Sequence, residues 1–166
     1  SDAYALQRGK THGLESIFLN PKNFSTRDDY EKQMIELLQT KSIDLVCLAG
    51  FMRILGKKFI EAFSGKIINI HPSLLPAFPG LNVQEKALEH GAKFSGCTVH
   101  FVNEEVDGGA IILQAIVPIL DEDDVKSLSD RILEQEHIIY PEAIRLIIED
   151  NLEFYGRRVI RKTRGN

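Results

Sequence analysis

The chain has 166 residues, a formal charge of −4 at neutral pH, a sequence pI of about 5.7 and a mean hydropathy of −0.12. With 43 % hydrophobic residues it can build one domain with a full core over 1–166, and its mild acidity argues against a nucleic-acid partner; Arg157, Arg158, Arg161, Lys162 and Arg164 read as a solvated, frayed basic terminus. No run of about 18 apolar residues and no charged-then-apolar leader occurs, so no membrane partner is expected and the cytoplasm is the expected setting.

In chain order, residues 1–13 carry no initiator Met and read as the end of a helix, with Gly13 as its stop. Residues 17–19 form a short apolar segment. Residues 25–29 (STRDD) supply a capping hydroxyl and early acids for a helix carrying Tyr30, Met34, Leu37 and Leu38. Residues 43–50 (IDLVCLAG) are almost continuously apolar, as in a strand covered on both faces, and Gly50 ends it. A loop over 51–55, a short helix over 57–63 and a strand over 66–70 follow.

After the Pro-rich loop 74–80, a helix over 83–90 stops at Gly91. Residues 97–102 and 110–117 read as two strands joined by the turn-rich loop 103–109. A long helix over 125–148 carries Val125, Leu128, Ile132, Ile139, Ala143 and Leu146 at helical spacing, with Pro141 expected to interrupt or kink it. The acidic run 121–124 is expected to be its solvated start. Residues 152–160 alternate like a small hairpin around Gly156. Cys47 and Cys97 lie in apolar runs and read as small hydrophobes, not as a disulfide or metal pair, and no CxxC or HExxH is present. No repeat or linker divides the chain.

The chemistry concentrates in residues 68–76 (INIHPSLLP). Side chains alternate along a strand, so Asn69 and His71 share one face and Ile68 and Ile70 the other. Pro72 removes a ladder donor, which ends the sheet there and puts the pair at its rim, where open α/β sheets place their sites. A strand end with a capping Asn and a solvated His is an equal reading of these residues alone. Asp107, followed by Gly108 and Gly109, is an ordinary turn sequence; if its loop folds back, it also supplies a carboxylate that orients His71 and favours its protonated form. Asn, His and Asp together make a site for a developing oxyanion. No nucleophile accompanies them, and Ser73 lacks a Gly-x-Ser-x-Gly frame, so the attacking group must come from a substrate.

Four stretches carry a resemblance: AGFMRIL at 49–55, INIHPSLLPAFPG at 68–80, GCTVHFVNEEVDGG at 96–109 and ILEQEHIIYPEAI at 132–144. With the text between them they resemble the phosphoribosylglycinamide formyltransferase family, the folate-dependent transformylases of purine biosynthesis. The resemblance implies an α/β fold with an open, mostly parallel twisted sheet, Rossmann-like, with helices on both faces. It implies formyl transfer from N10-formyltetrahydrofolate, as co-substrate and with no metal, to the amine of glycinamide ribonucleotide. Asn69, His71 and Asp107 would be the catalytic trio.

By the same resemblance the folate is held by Arg27, by Met52, Arg53, Ile54 and Leu55, by Asn69, and by the loop Asn103, Glu104, Glu105, Val106 and Asp107. Glu136 would contact the ribose, with Leu133, Glu134 and Gln135 in the same segment. Each has a plain alternative: core packing for the apolar loop residues, a surface charge for Arg27, a polar helix face for Glu136. His100 either buttresses Asp107 or satisfies a buried bond; His12, His90 and His137 carry no signal. The partners are small molecules, with a monomer or homodimer expected.

The family pattern opens with a strand and a Gly-rich phosphate loop that these residues lack, so the 166 residues alone are expected to be inactive and poorly folded. The alternatives are a formyltetrahydrofolate hydrolase, with water as acceptor, and a non-catalytic folate-binding module. A methionyl-tRNA formyltransferase would need a basic C-terminal RNA-binding domain.

Overall fold

Apolar runs punctuated by glycine and proline become strands, and the amphipathic stretches become helices, in a computed structural model that describes residues 3–162. The chain divides into two units, Ser1–Ile43 and Asp44–Asn166. In the first, α1 (Tyr4–Thr11) ends before Gly13, which takes the left-handed φ of +67° that the stop signal anticipates. Helix α2 (Arg27–Thr40) begins where Thr26 Oγ1 accepts the Asp29 amide at 3.1 Å, with Asp28 and Asp29 in its first turn. Among the described residues, 17–19 pair with no strand; Ile17 and Phe18 are exposed.

The second unit holds the sheet. Its elements are β1 (Val46–Leu48), α3 (Lys57–Ala62), β2 (Ile67–His71), α4 (Val83–Glu89), β3 (Phe94–Phe101), β4 (Ile111–Pro118), α5 (Val125–Ile148), β5 (Leu152–Tyr155) and β6 (Arg158–Arg161), with strand order β1-β2-β3-β4-β6-β5. The expected open α/β sheet is present, but its pairing is mixed rather than mostly parallel. β1–β2 and β4–β6 are parallel, whereas β2–β3, β3–β4 and β5–β6 are antiparallel. A crossover through α3 makes the first pair parallel, and the tight connections β3–β4 and β5–β6 can only return antiparallel.

β1 is shorter than its apolar run suggests. It lies at the end of the strand order, paired only to β2 among the described strands, and Cys47 is exposed rather than packed. Cys97, on β3, is fully buried as expected. Helix α5 starts on a capping box between Asp124 and Ser127 and continues through Pro141, which does not interrupt it. Tertiary contacts outweigh the lost amide bond there: Ala143 and Leu146 are buried, and the Tyr140 hydroxyl donates to Leu48 O at 2.7 Å. The acidic start is not wholly solvated. The Asp123 side chain is 2 % exposed and takes a bidentate bond from Arg131 at 2.7 Å and 2.7 Å, and that guanidinium holds the carboxyl far below its usual range.

α5 packs on β3 and β4 and closes two apolar clusters. One joins Ile68, Val99, Phe101 and Ile112 to Ala143, Leu146 and Leu152; the other joins Cys97 and Val117 to Leu128 and Ile132. Each fully buried large aliphatic side chain contributes about 1.5–3 kcal/mol. Because side chains alternate, fixing these residues on the α5 face turns Asn69, His71, Thr98 and His100 the other way. The basic tail is not frayed over its described part. Arg158 and Arg161 lie in β6, Arg161 pairs with Glu142 at 3.3 Å, and Arg164 lies outside the described residues. Among the described residues no helix is long and apolar enough to cross a membrane.

Candidate active site

The register of β2 on β3 assembles the site. Asn69 lies opposite His100 and His71 opposite Thr98. β2 ends at His71 because Pro72 cannot continue the ladder. Asp107 arrives from the loop between β3 and β4 with a left-handed φ of +52° that aims its carboxylate at both rings. Oδ2 lies 3.5 Å from His71 Nδ1 and Oδ1 lies 3.7 Å from His100 Nε2, while the Gly80 amide donates to Oδ2 at 2.8 Å. The loop is pinned to β3 at its end: a Cβ on Gly109 would sit 1.6 Å from Phe101 O, so only glycine fits.

Hydrogen-bond chemistry fixes the protonation pattern. His100 is 2 % exposed, and desolvation lowers its pKa, so the ring is neutral. Its Nδ1 faces Phe101 O at 2.8 Å; a carbonyl only accepts, so Nδ1 carries the proton and Nε2 is a bare lone pair. Asn69 lies 3.4 Å from that lone pair and must therefore turn its NH2 group, not its carbonyl, toward it. The second N–H of that amide remains for another acceptor. Both nitrogens of His71 face acceptors, Phe78 O at 3.0 Å from Nε2 and an Asp107 carboxylate oxygen at 3.5 Å from Nδ1.

The loop after β2 is built to support this. Ser73 is fully buried and donates to Ala77 O at 2.7 Å and Phe78 O at 3.2 Å, a structural role that leaves no room for an acyl-enzyme serine. Thr98 Oγ1 donates to Ser73 O at 2.6 Å and accepts from Leu75 N at 3.1 Å and Gln114 Nε2 at 2.9 Å. The partners Phe78 and Gly80 carry no signal in the sequence, since they act through main-chain atoms. His100 did have one, its place two residues beyond Thr98 on an alternating strand.

A cleft of about 740 Å³ opens on this cluster. Asn69, His71, His100 and Asp107 line it, as do Met52, Arg53, Ile54 and Leu55, and Asn103, Glu104, Glu105 and Val106. Met52 and Ile54 are exposed, at 78 % and 65 %, so they are not the core residues that the plain reading allows; Leu55 is buried. From α5, Glu136 reaches the cleft, and Leu133, Glu134 and Gln135 are not among its lining, because successive helical residues point about 100° apart. Burial raises the Glu136 carboxyl above its usual range, and its charge joins desolvation in pushing the Cys97 thiol up to about 12. Arg27 belongs to the first unit, where Nε meets Glu31 at 2.8 Å.

The formyl transferase family model matches residues 1–144. The chain is 50 % identical over 143 residues to the trifunctional purine biosynthetic protein adenosine-3 of Drosophila melanogaster, covering 86 % of the chain but only 11 % of that protein. It is 46 % identical over 170 residues to the phosphoribosylglycinamide formyltransferase of Haemophilus influenzae, covering 98 % of the chain and 80 % of that enzyme. A glycinamide ribonucleotide transformylase from Symbiobacterium toebii superposes with a TM-score of 0.95 at 51 % identity, over 98 % of this chain and 77 % of that one. A formyltetrahydrofolate deformylase from Pseudomonas syringae has the same fold, with a TM-score of 0.85 over 95 % of this chain and 52 % of that one, at 25 % identity. The chain belongs to the formyl transferase family, and within it sides with the phosphoribosylglycinamide formyltransferases over the deformylase.

Proposed function

We propose that the chain transfers the formyl group of N10-formyltetrahydrofolate to the amine of glycinamide ribonucleotide, in purine biosynthesis, by direct attack. The observation that carries this reading is the convergence of Asn69, His71 and Asp107 on one cleft, with no serine, threonine, cysteine or lysine among the described residues that line it. The amine attacks the formyl carbon, forming the new C–N bond and leaving negative charge on the formyl oxygen. Collapse breaks the bond to N10, which takes a proton as the amine loses one. Preorganised donors are worth most at that oxyanion. The second Asn69 N–H is the donor left for it, and His71 contributes positive charge with its Nε2–H held by Phe78 O. Asp107 keeps that charge in place and accepts the amine proton through water.

Met52, Ile54 and Leu55 give the pterin an apolar slot, the edge formed by residues 103–107 meets its polar rim, and Arg53 suits the glutamate tail. Glu136, an acceptor in the cleft, suits ribose hydroxyls, with residues 133–135 in the turn before it. The partners are small molecules, and a monomer or homodimer suffices. The test is a formyl-transfer assay with and without glycinamide ribonucleotide, on the 166-residue chain and on one carrying a Gly-rich phosphate unit. Transfer that requires the ribonucleotide is the expected result. Formate release without the ribonucleotide means the hydrolase reading, and folate binding without turnover means a binding module.

A further inference from the structure

We infer that Arg157, at the turn between β5 and β6, is a positioning residue that holds the Asp107 loop in its catalytic shape; this rests on the formyl-transfer reading above. Arg157 Nη2 donates to Gly108 O at 2.5 Å and lies 4.0 Å from Glu105 Oε2. Gly108 follows Asp107 directly, so the bond acts on the backbone next to the residue whose left-handed conformation aims the carboxylate. Such a conformation in a non-glycine residue persists only where its surroundings hold it. Inside the loop, the Gly108 amide donates to Glu105 O at 3.2 Å and the Glu105 amide to Asn103 Oδ1 at 3.0 Å. These are short-range turns and do not fix the loop against the sheet.

External anchors do. On the ring side, Gly80 N holds the carboxylate itself. Lys57, from α3, stands 3.7 Å from Glu104. Arg157 grips the main chain, and its own base is fixed. Arg158 pairs with Ile111 at the start of β4, and Phe154 packs on Phe101 at the end of β3 with ring centroids 5.3 Å apart. The hairpin is thus docked on the two strands that flank the loop, and it extends one charged side chain to the loop's far end. That side chain is 77 % exposed and is not part of the cleft lining, so it does not touch substrate. An exposed pair with Glu105 adds little stability by itself. The charge-assisted bond to a single carbonyl is directional, and its consequence is geometric.

The experiment compares Arg157→Ala and Arg157→Lys with the parent, in the full-length protein, by steady-state kinetics and by amide hydrogen exchange. In Arg157→Ala, kcat falls about tenfold with KM for both substrates within about twofold, because a small displacement of a catalytic group costs turnover before it costs binding. Exchange at the Gly80 and Gly108 amides, which report the two ends of the Asp107 anchorage, quickens by about fivefold or more while the core strands keep their protection. Arg157→Lys, which keeps a cationic donor, recovers most of both effects. Unchanged exchange at Gly80 and Gly108 overturns the inference, as does faster exchange with kcat intact. If the parent shows no formyl transfer, the functional reading fails, and the exchange data still decide whether Arg157 holds the loop.

Discussion

Strands β2 and β3 present two faces made from the same residues taken alternately. Ile68, Val99 and Phe101 face α5, while Asn69, His71, Thr98 and His100 face the cleft and its loops. The first face is held by non-directional apolar contact, which fills volume and tolerates small shifts. The second is nearly as buried, with His71 at 5 % and Thr98 at 0 % exposure, and there every polar atom needs a partner of the right sign. Those partners come from elsewhere in the chain: Phe78 O, Ser73 O, Leu75 N and Asp107. Among the described residues, no buried side-chain nitrogen or oxygen lacks one. Strands thus supply position, and loops supply the matched groups that let polar side chains be buried at a working site.

Substitutions can separate the two faces. On the cleft face, Asn69→Ala removes the proposed oxyanion donor and is expected to lower kcat about 10²- to 10³-fold, near 3–4 kcal/mol of transition-state stabilisation. Its thermal midpoint should stay close to the parent's; near-normal turnover would remove Asn69 from the mechanism. His71→Ala and Asp107→Ala should each be severe and strongly non-additive if the two act as the unit proposed above. A double variant whose loss equals the product of the singles would show that they act independently.

On the α5 face the expectation reverses. Ile68→Ala should cost about 2–5 kcal/mol in denaturant unfolding, with kcat per folded molecule close to the parent's. A large fall in kcat there would erase the distinction between the faces. Thr98→Val lies between the two. It strips the Leu75 amide of its acceptor and should destabilise by about 1–3 kcal/mol, with a modest loss of turnover as the loop beneath His71 loosens.

The smallest effect is on pH. Burial lowers the His100 pKa, so below its ordinary value near 6.5 the unfolded chain binds a proton that the folded site excludes, and stability falls as pH falls. Asp107 and His71 face the ring and oppose one another in this, the carboxylate raising the pKa and the imidazole lowering it. Glu136 works the other way: its pKa is raised, so just above 4.5 the folded state holds the extra proton and gains stability on acidification. Thermal melts between pH 7 and 5 should decline by less than about 1.4 kcal/mol per pH unit for one proton, and more steeply in Glu136→Gln. A flat profile in that variant would mean that His100 takes up its proton freely in the folded state.

Much of this was legible beforehand because local rules govern it. Thr26 with its acids starts α2, Gly13 and Gly91 stop helices, and residues 103–109 make a connection that returns antiparallel. Strand alternation put Asn69 and His71 on one face without reference to any other element. Errors cluster where one element answers to another. Pro141 does not break α5, because its flanks are anchored to β1 and the core. Asp123 is buried because Arg131, two turns later, covers it.

The sequence by itself determined the alternation that sorts β2 and β3 into an apolar and a polar face, the stop at Pro72, and the residue types that a formyl oxyanion needs. Tertiary structure decided the rest. It turned Asp107 through a left-handed backbone onto two histidines, set the Asn69 amide by the tautomer of His100, and tied His71 to a carbonyl of the loop that follows it. The physical reason is range: side-chain alternation is a property of neighbouring residues, whereas hydrogen-bond partners and dielectric at a buried ring are set by segments tens of residues away in the chain.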